Sequence, residues 1–226
     1  RRPTPGCLSR HKPHRIRRLR RETGLWPRAP PPSTTCPPRL PALIGPGAAR
    51  HFDFIWFRTK GTGPGSPIHC DLVYMGRGTH RLYTAWVPLG DVPLDMGGLL
   101  LLEGSHGKST ELQAYLSRDV DTYCENHDDA ADFAAGRKWW DGTLSKDPTA
   151  LQQSLGGRWL TAEEFKLGDA VIFNMTLVHG SLDNTTDRIR LSTDTRYQLA
   201  SDPIDERWIG ENPAGHTSAM KRGRVC

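Results

Sequence analysis

The stretch Pro67-Ile68-His69-Cys70-Asp71-Leu72-Val73-Tyr74, read together with Leu177-Val178-His179-Gly180-Ser181, decides how the rest of the chain is read. If residues 67–74 are extended, His69 and Asp71 are two apart and point to one face while Cys70 faces away. One imidazole and one carboxylate then converge on a common point. A second histidine from a distant strand would complete two histidines and a carboxylate on one face of an octahedron, an arrangement suited to non-haem Fe(II) with three positions left open. His179 is the candidate for that ligand.

A His-x-Asp pair is weak by itself, and the chain carries a second one, His51-Phe52-Asp53. That pair sits in an aromatic run, Phe52 to Phe57, which reads as a packed strand. His69 instead follows a Gly/Pro-rich turn, Gly61 to Pro67, and precedes another at Gly76-Arg77-Gly78. Strand ends beside loops are where sites are usually built.

Downstream, Gly168-Asp169 reads as a turn and Ala170–Val178 as an apolar strand that ends at His179-Gly180. Arg190 and Ser192 share a strand face by the same period of two. A guanidinium fork and a hydroxyl side by side suit a carboxylate, such as the far end of a dicarboxylate whose other end chelates the metal. Arg188 would share that face; the spacing from His179 and the neighbouring Ser192 favour Arg190. Asp194 and Arg196 follow on the same face and are expected to pair with each other.

The ordered set His69-Cys70-Asp71, Trp86-Val87-Pro88-Leu89-Gly90-Asp91, Gly97-Gly98, Glu103-Gly104-Ser105-His106, Gly168-Asp169, His179-Gly180 and Arg190-Leu191-Ser192 resembles the phytanoyl-CoA dioxygenase family, from about His51 to Trp208. The resemblance implies a double-stranded β-helix, or jelly roll, that uses Fe(II), 2-oxoglutarate and O2. It implies His69, Asp71 and His179 as metal ligands, Arg190 as the anchor of the distal carboxylate with Ser192 helping, and Trp86 lining the co-substrate pocket. The expected reaction hydroxylates a small-molecule substrate with release of succinate and CO2. Asp71 supports hydroxylation, because a small residue there would open a halide site. A cupin-like metal protein of other chemistry would not need Arg190 and Ser192. A non-catalytic binding module is the third reading.

Charge is unevenly distributed along the 226 residues. Residues 1–50 hold twelve of the thirty Lys and Arg and one acidic residue, a net +11, which leaves −6 for residues 51–226. The first fifty residues also hold eleven of the eighteen prolines and show no apolar period. Such a segment cannot bury enough surface to offset its ordering entropy. Residues 1–50 are therefore expected to be a disordered tail; the alternative reading is sequence foreign to the domain of residues 51–226, replacing structure the family carries there. Its arginine run reads as a solvated tail and not as a nucleic-acid site. No apolar run has the length of a membrane span, so a soluble, cytoplasmic protein is expected. The five cysteines are odd in number and lack Cys-x-x-Cys spacing, which points to neither a disulfide framework nor structural zinc.

Strands are expected near 52–58, 68–74, 81–88, 99–103, 170–178 and 189–198, separated by turns rich in Gly, Pro, Asp and Asn. The fold class is mainly β, a cupin-like jelly roll, interrupted by a helical insertion at 107–158. Helices are expected at 110–116 and 128–135, and the insertion is expected to cover the site mouth. Thr161 to Glu164 reads as a helix N-terminus.

Overall fold

The computed structural model describes residues 40–50 and 55–226. In chain order they form α1 (Leu40–Ile44), β1 (Ala48–Arg50), β2 (Trp56–Lys60), α2 (Leu72–Met75), β3 (Tyr83–Pro88), β4 (Val92–Pro93) and β5 (Leu99–Leu102). The insertion follows as α3 (Gln113–Leu116), β6 (Thr122–Cys124), α4 (Ala130–Ala134) and α5 (Pro148–Leu155). The chain closes with β7 (Trp159–Leu160), β8 (Glu164–Phe165), β9 (Val171–Asn174), β10 (His179–Ser181), β11 (Arg190–Leu199) and β12 (Arg222–Arg224).

The long strand β11 organises the larger sheet. β3 lies along one of its edges, with β9 beyond, while β1 and β2 pair with β11 in tandem. A second sheet has the order β10-β5-β7, and β4 pairs with β8. All these pairings are antiparallel, and together they make the mainly β, jelly-roll architecture. β11 inverts the ordinary pattern of a sheet strand. Arg190, Ser192, Asp194, Arg196 and Gln198 are buried, whereas the alternate Leu191 is exposed. Burying five polar side chains in a row costs free energy unless each finds a partner. Asp194 meets Arg58, Arg196 meets Asp71 and Gln198 donates to the Asp202 carbonyl at 3.1 Å, so this face of β11 is a partnered polar stripe and not apolar core.

The expected helices of the insertion are present as α3 and α4, while three other expectations are corrected. Residues 68–74 are not a strand: Ile68 and His69 form isolated bridges, and the chain then turns at Asp71 into α2. Leu72 and Val73 are adjacent and both buried, which a half-buried strand cannot achieve but one helical turn can. Thr161–Glu164 does not begin a helix, because Thr161 donates through Oγ1 to the Leu99 carbonyl at 2.8 Å and Phe165 is held on the sheet by Trp86. The one long helix of the insertion is α5, where the Asp147 carboxylate accepts from the N–H groups of Thr149 and Ala150 at 3.0 Å and Pro148 takes the first turn. Finally, Cys124 and Cys226 are joined in a disulfide across a sequence separation of 102, brought together by the parallel pairing of β6 with β12. Local spacing carries no sign of such a bond. Cys70 is a buried free thiol.

The boundary expected at residue 50 lies inside the fold. β1 pairs with β11 in the register Ala48↔Leu199, and Ile44 packs against Ala85 and Tyr197. The short apolar segment Leu40–Ile44 is overshadowed in the sequence by its Pro- and Arg-rich surroundings. Residues 1–39 of the expected tail lie outside the described residues, as do His51 and Asp53. No helix among the described residues is long and apolar enough to cross a membrane.

Candidate active site

The structure brings His69, Asp71 and His179 together, with one potential ligand atom of each within 4.8 Å of the others. It is the sole group of three such side chains among the described residues. Backbone pairing builds it. His69 and His179 exchange both of their backbone hydrogen bonds, His69 N–H to His179 O at 2.8 Å and the reverse at 2.9 Å. Gly180 is needed beside this bridge, because a Cβ there would come within 3.0 Å of the Ser66 carbonyl and 2.9 Å of the Ile68 side chain. Asp71 joins the two rings because the chain folds back at the start of α2, pinned by Leu72 N–H on the Met175 carbonyl at 3.1 Å. Convergence comes from a turn and not from strand alternation.

Each donor atom is oriented from behind. His69 Nδ1 lies 2.7 Å from the Pro67 carbonyl and His179 Nδ1 lies 3.0 Å from that of Leu177. A carbonyl can only accept, so both Nδ1 atoms carry the proton and both Nε2 lone pairs face inward. Asp71 Oδ1 stands 3.8 Å from His69 Nε2 and 3.7 Å from His179 Nε2. Its other oxygen, Oδ2, takes a hydrogen bond from Thr84 Oγ1 at 2.5 Å and an ion pair from Arg196 Nη2 at 3.1 Å. Thr84 and Arg196 are a cross-strand pair on β3 and β11. One carboxylate oxygen is thus tied to the sheet and the other is left for a ligand.

Electrostatics follow from this geometry. Burial, and then the neighbouring His179, pull the His69 imidazole down to about 4, so it is neutral and available as a ligand near neutral pH. Burial opposes ionisation of Asp71, but the Arg196 guanidinium, the two imidazoles and the Thr84 hydroxyl outweigh it and hold the carboxyl below the usual carboxylate range. Burial pushes the Cys70 thiol up, and its Sγ lies 3.4 Å from the Thr176 carbonyl, away from the site. Two imidazole nitrogens and one carboxylate oxygen are the donor set that Fe(II) accepts with open positions.

The expected anion anchor lies farther along the same face of β11. Arg190 is buried, donates through Nη1 to the Gly97 carbonyl, and stands over the Trp86 ring with its guanidinium carbon 5.9 Å from the centroid. It forms no ion pair among the described residues. Arg190 Nε and Ser192 Oγ are both buried without a hydrogen-bond partner among the described residues. A guanidinium with an unused Nε, two residues along the same strand face from an unused hydroxyl, fits a carboxylate. Arg188 is exposed, which removes it from the role. Trp86 is buried between Arg190 and Phe165, whose ring lies 5.0 Å away.

Arg58, Thr84 and Tyr115, each in contact with the site or its supports, escaped sequence reasoning. Asp194 and Arg196 do not pair with each other: Asp194 takes the guanidinium of Arg58, and Arg196 takes Asp71. The alternation Arg190, Ser192, Asp194, Arg196 was visible in the sequence, but which partner each would meet depends on register with β2 and β3. Tyr115, from the insertion, accepts from Cys70 N–H at 3.1 Å and donates to the Gly142 carbonyl at 2.7 Å. The insertion therefore braces the ligand loop from behind. His106 lies in an exposed turn outside the cluster.

A family profile described as phytanoyl-CoA dioxygenase (PhyH) matches residues 9–192, a span that takes in much of the stretch expected to lie outside the domain. Among solved structures the fold is similar to EctD from S. alaskensis in its apoform, with 18% identity over 82% of this chain and 59% of that one and a TM-score of 0.50. The epimerase SnoN in complex with Fe3+, alpha ketoglutarate and nogalamycin RO aligns at 23% identity over 74% of this chain and 57% of that one, TM-score 0.46. The alpha ketoglutarate dependent carbocyclase SnoK from nogalamycin biosynthesis aligns at 20% identity over 66% and 49%, TM-score 0.45. The chain spans about half the length of these structures. No curated protein matches it.

Proposed function

Because the chain belongs to the phytanoyl-CoA dioxygenase family, we propose that it is an Fe(II)- and 2-oxoglutarate-dependent oxygenase that hydroxylates a small organic substrate. The observation that carries this reading is the pairing of two features in one interior: the His69–Asp71–His179 cluster, and the orphaned Arg190 Nε and Ser192 Oγ along the same wall. A metal protein of other chemistry would account for the first and leave the second unexplained.

His69 Nε2, His179 Nε2 and Asp71 Oδ1 would hold the iron. Iron loaded with 2-oxoglutarate and O2 supplies the oxidising power that turns a substrate C–H into C–OH as the co-substrate becomes succinate and CO2. Arg190, with Ser192, would grip the distal carboxylate through parallel charge-assisted hydrogen bonds, and Trp86 would wall the co-substrate. Arg196 and Thr84 act through Asp71, keeping one oxygen occupied so that the other is presented singly. Phe173, 4.6 Å from the His179 ring, shields that ligand from water on its flank.

The test is to incubate Fe(II)-loaded protein with 2-oxoglutarate, O2 and a metabolite library, following succinate and products heavier by one oxygen. Succinate released together with an oxygenated product supports the reading. Succinate with a substrate changed but not oxygenated would keep the oxygenase and remove the hydroxylation. No dependence on 2-oxoglutarate would overturn both.

A further inference from the structure

The interior that holds the candidate metal centre carries one more positive side chain than the proposed reaction uses. Residues paired in antiparallel register point to the same side of a sheet. Trp56, Arg58 and Lys60 of β2 stand opposite Asp194, Ser192 and Arg190 of β11, so they share the face of the buried polar stripe. Arg58 donates to Asp194 through Nε, and among the described residues nothing accepts from its Nη1 or Nη2. Its side chain remains 47% exposed. Yet Asp71, His69, Tyr74 and Arg190 all interact electrostatically with it. A guanidinium that shares the face of the buried polar stripe and still reaches solvent is open to a ligand on that face.

Charge balance says what that face lacks. Lys60 turns its ammonium to the Pro64 carbonyl at an exposed position and stays outside the count. Inside, the guanidinium groups of Arg58, Arg190 and Arg196 and a divalent metal would carry five positive charges, against four negative ones on Asp71, Asp194 and the 2-oxoglutarate dianion. An unbalanced unit charge in a partly desolvated interior is costly, so the remaining ligand is favoured as a single anion. Geometry agrees, because the Nε edge of Arg58 is taken by Asp194 and the end-on pair Nη1/Nη2 remains, which matches the two oxygens of one carboxylate. The flanking walls are aromatic: Trp56 beside Arg196 at 5.3 Å and Phe173 beside His179 at 4.6 Å.

Resting on the oxygenase reading above, we propose that Arg58, held by Asp194, recognises the substrate: its terminal nitrogens take a carboxylate or comparable monoanionic group of the substrate beside the His69–Asp71–His179 cluster.

The full chain is loaded anaerobically with Fe(II) and saturating 2-oxoglutarate, whose charge-transfer absorbance reports the co-substrate, and is titrated with benzoate and with benzamide as matched charged and neutral probes. Ligand-observed NMR follows both probes. Wild-type protein should bind benzoate about 10- to 100-fold more tightly than benzamide, the range expected for a charge-assisted pair. Arg58→Gln should erase that preference while leaving 2-oxoglutarate affinity within about 2-fold, and Arg58→Lys should restore part of it. The double variant Arg58→Gln/Asp194→Asn avoids an unpaired buried carboxylate and should behave as Arg58→Gln does. Benzoate binding no tighter than benzamide in wild type, or a preference that survives both variants, overturns the proposal. Loss of 2-oxoglutarate affinity in Arg58→Gln as large as in Arg190→Ala also overturns it and assigns Arg58 to the co-substrate. No charge-transfer band in wild type removes the oxygenase premise itself, so the two failures are told apart in one sample.

Discussion

Replacing Arg196 by Met tests the support behind the metal cluster without touching a ligand. Arg196 is 1% exposed, Asp71 is 4% exposed, and their contact of 3.1 Å is the only ion pair that Arg196 makes among the described residues. Methionine keeps much of the volume and can stay against Met75 and Trp56, so the dominant loss is electrostatic. Removing one partner of a buried ion pair costs about 3–5 kcal/mol, because the other charge is left uncompensated. For a chain of this length that corresponds to a fall of roughly 6–20 °C in Tm. The deficit also carries a pH signature. In the wild type the depressed Asp71 gives stability that is present above its ordinary value of 3.8 and lost as pH falls below it. In Arg196→Met the same carboxyl should titrate above that value, so it destabilises at neutral pH and is relieved by protonation. The gap between the two proteins should therefore be widest near pH 7 and narrow towards pH 4. Urea unfolding of metal-free protein at both pH values measures it. A gap below about 0.5 kcal/mol at pH 7, or one that widens on acidification, would refute the reasoning that Arg196 compensates an ionised Asp71.

Arg190→Ala should weaken 2-oxoglutarate binding tens- to thousands-fold, from the roughly 2–5 kcal/mol lost when a buried charged pair is broken, with Fe(II) affinity little changed; Arg190→Lys should recover part of it. His69 sits at about 4 in the folded chain against 6.5 ordinarily, so its neutral form is favoured by folding. Metal-free protein should lose about 3 kcal/mol of stability as pH falls from 6.5 to 4, and His69→Gln should flatten that window in a pH series of denaturant melts. Opening the Cys124–Cys226 bond, by reductant or by Cys226→Ser, releases a loop closed across 102 residues and should cost about 2–5 kcal/mol, read by calorimetry.

The architecture and the candidate site were legible in the sequence because both depend on patterns local to a few residues. His69, Asp71, His179, Arg190 and Ser192 stand out through spacing and the turns beside them, and the long period-two run of β11 is visible directly. The reason first suggested for the His69–Asp71 convergence was wrong in detail. Both strand alternation and a one-turn reversal place residues two apart towards a common point, and only the adjacent buried Leu72 and Val73 distinguish them. What could not be read are partners set by register between distant strands: Arg58 with Asp194, Arg196 and Thr84 with Asp71, and Tyr115 behind Cys70. The Cys124–Cys226 bond belongs to the same class, since no spacing rule links residues joined through a parallel strand pair. The apolar Leu40–Ile44 segment was hidden by the composition around it.

The central claim is that one interior holds a metal on His69, Asp71 and His179 and a dicarboxylate on Arg190. Anaerobic titration of 2-oxoglutarate into Fe(II)-loaded protein tests both halves at once, through the visible charge-transfer absorbance that requires the two to be in contact. The account predicts a band that saturates at one equivalent in wild type and is absent in His179→Ala. No band in wild type, or an undiminished band in His179→Ala, would contradict it.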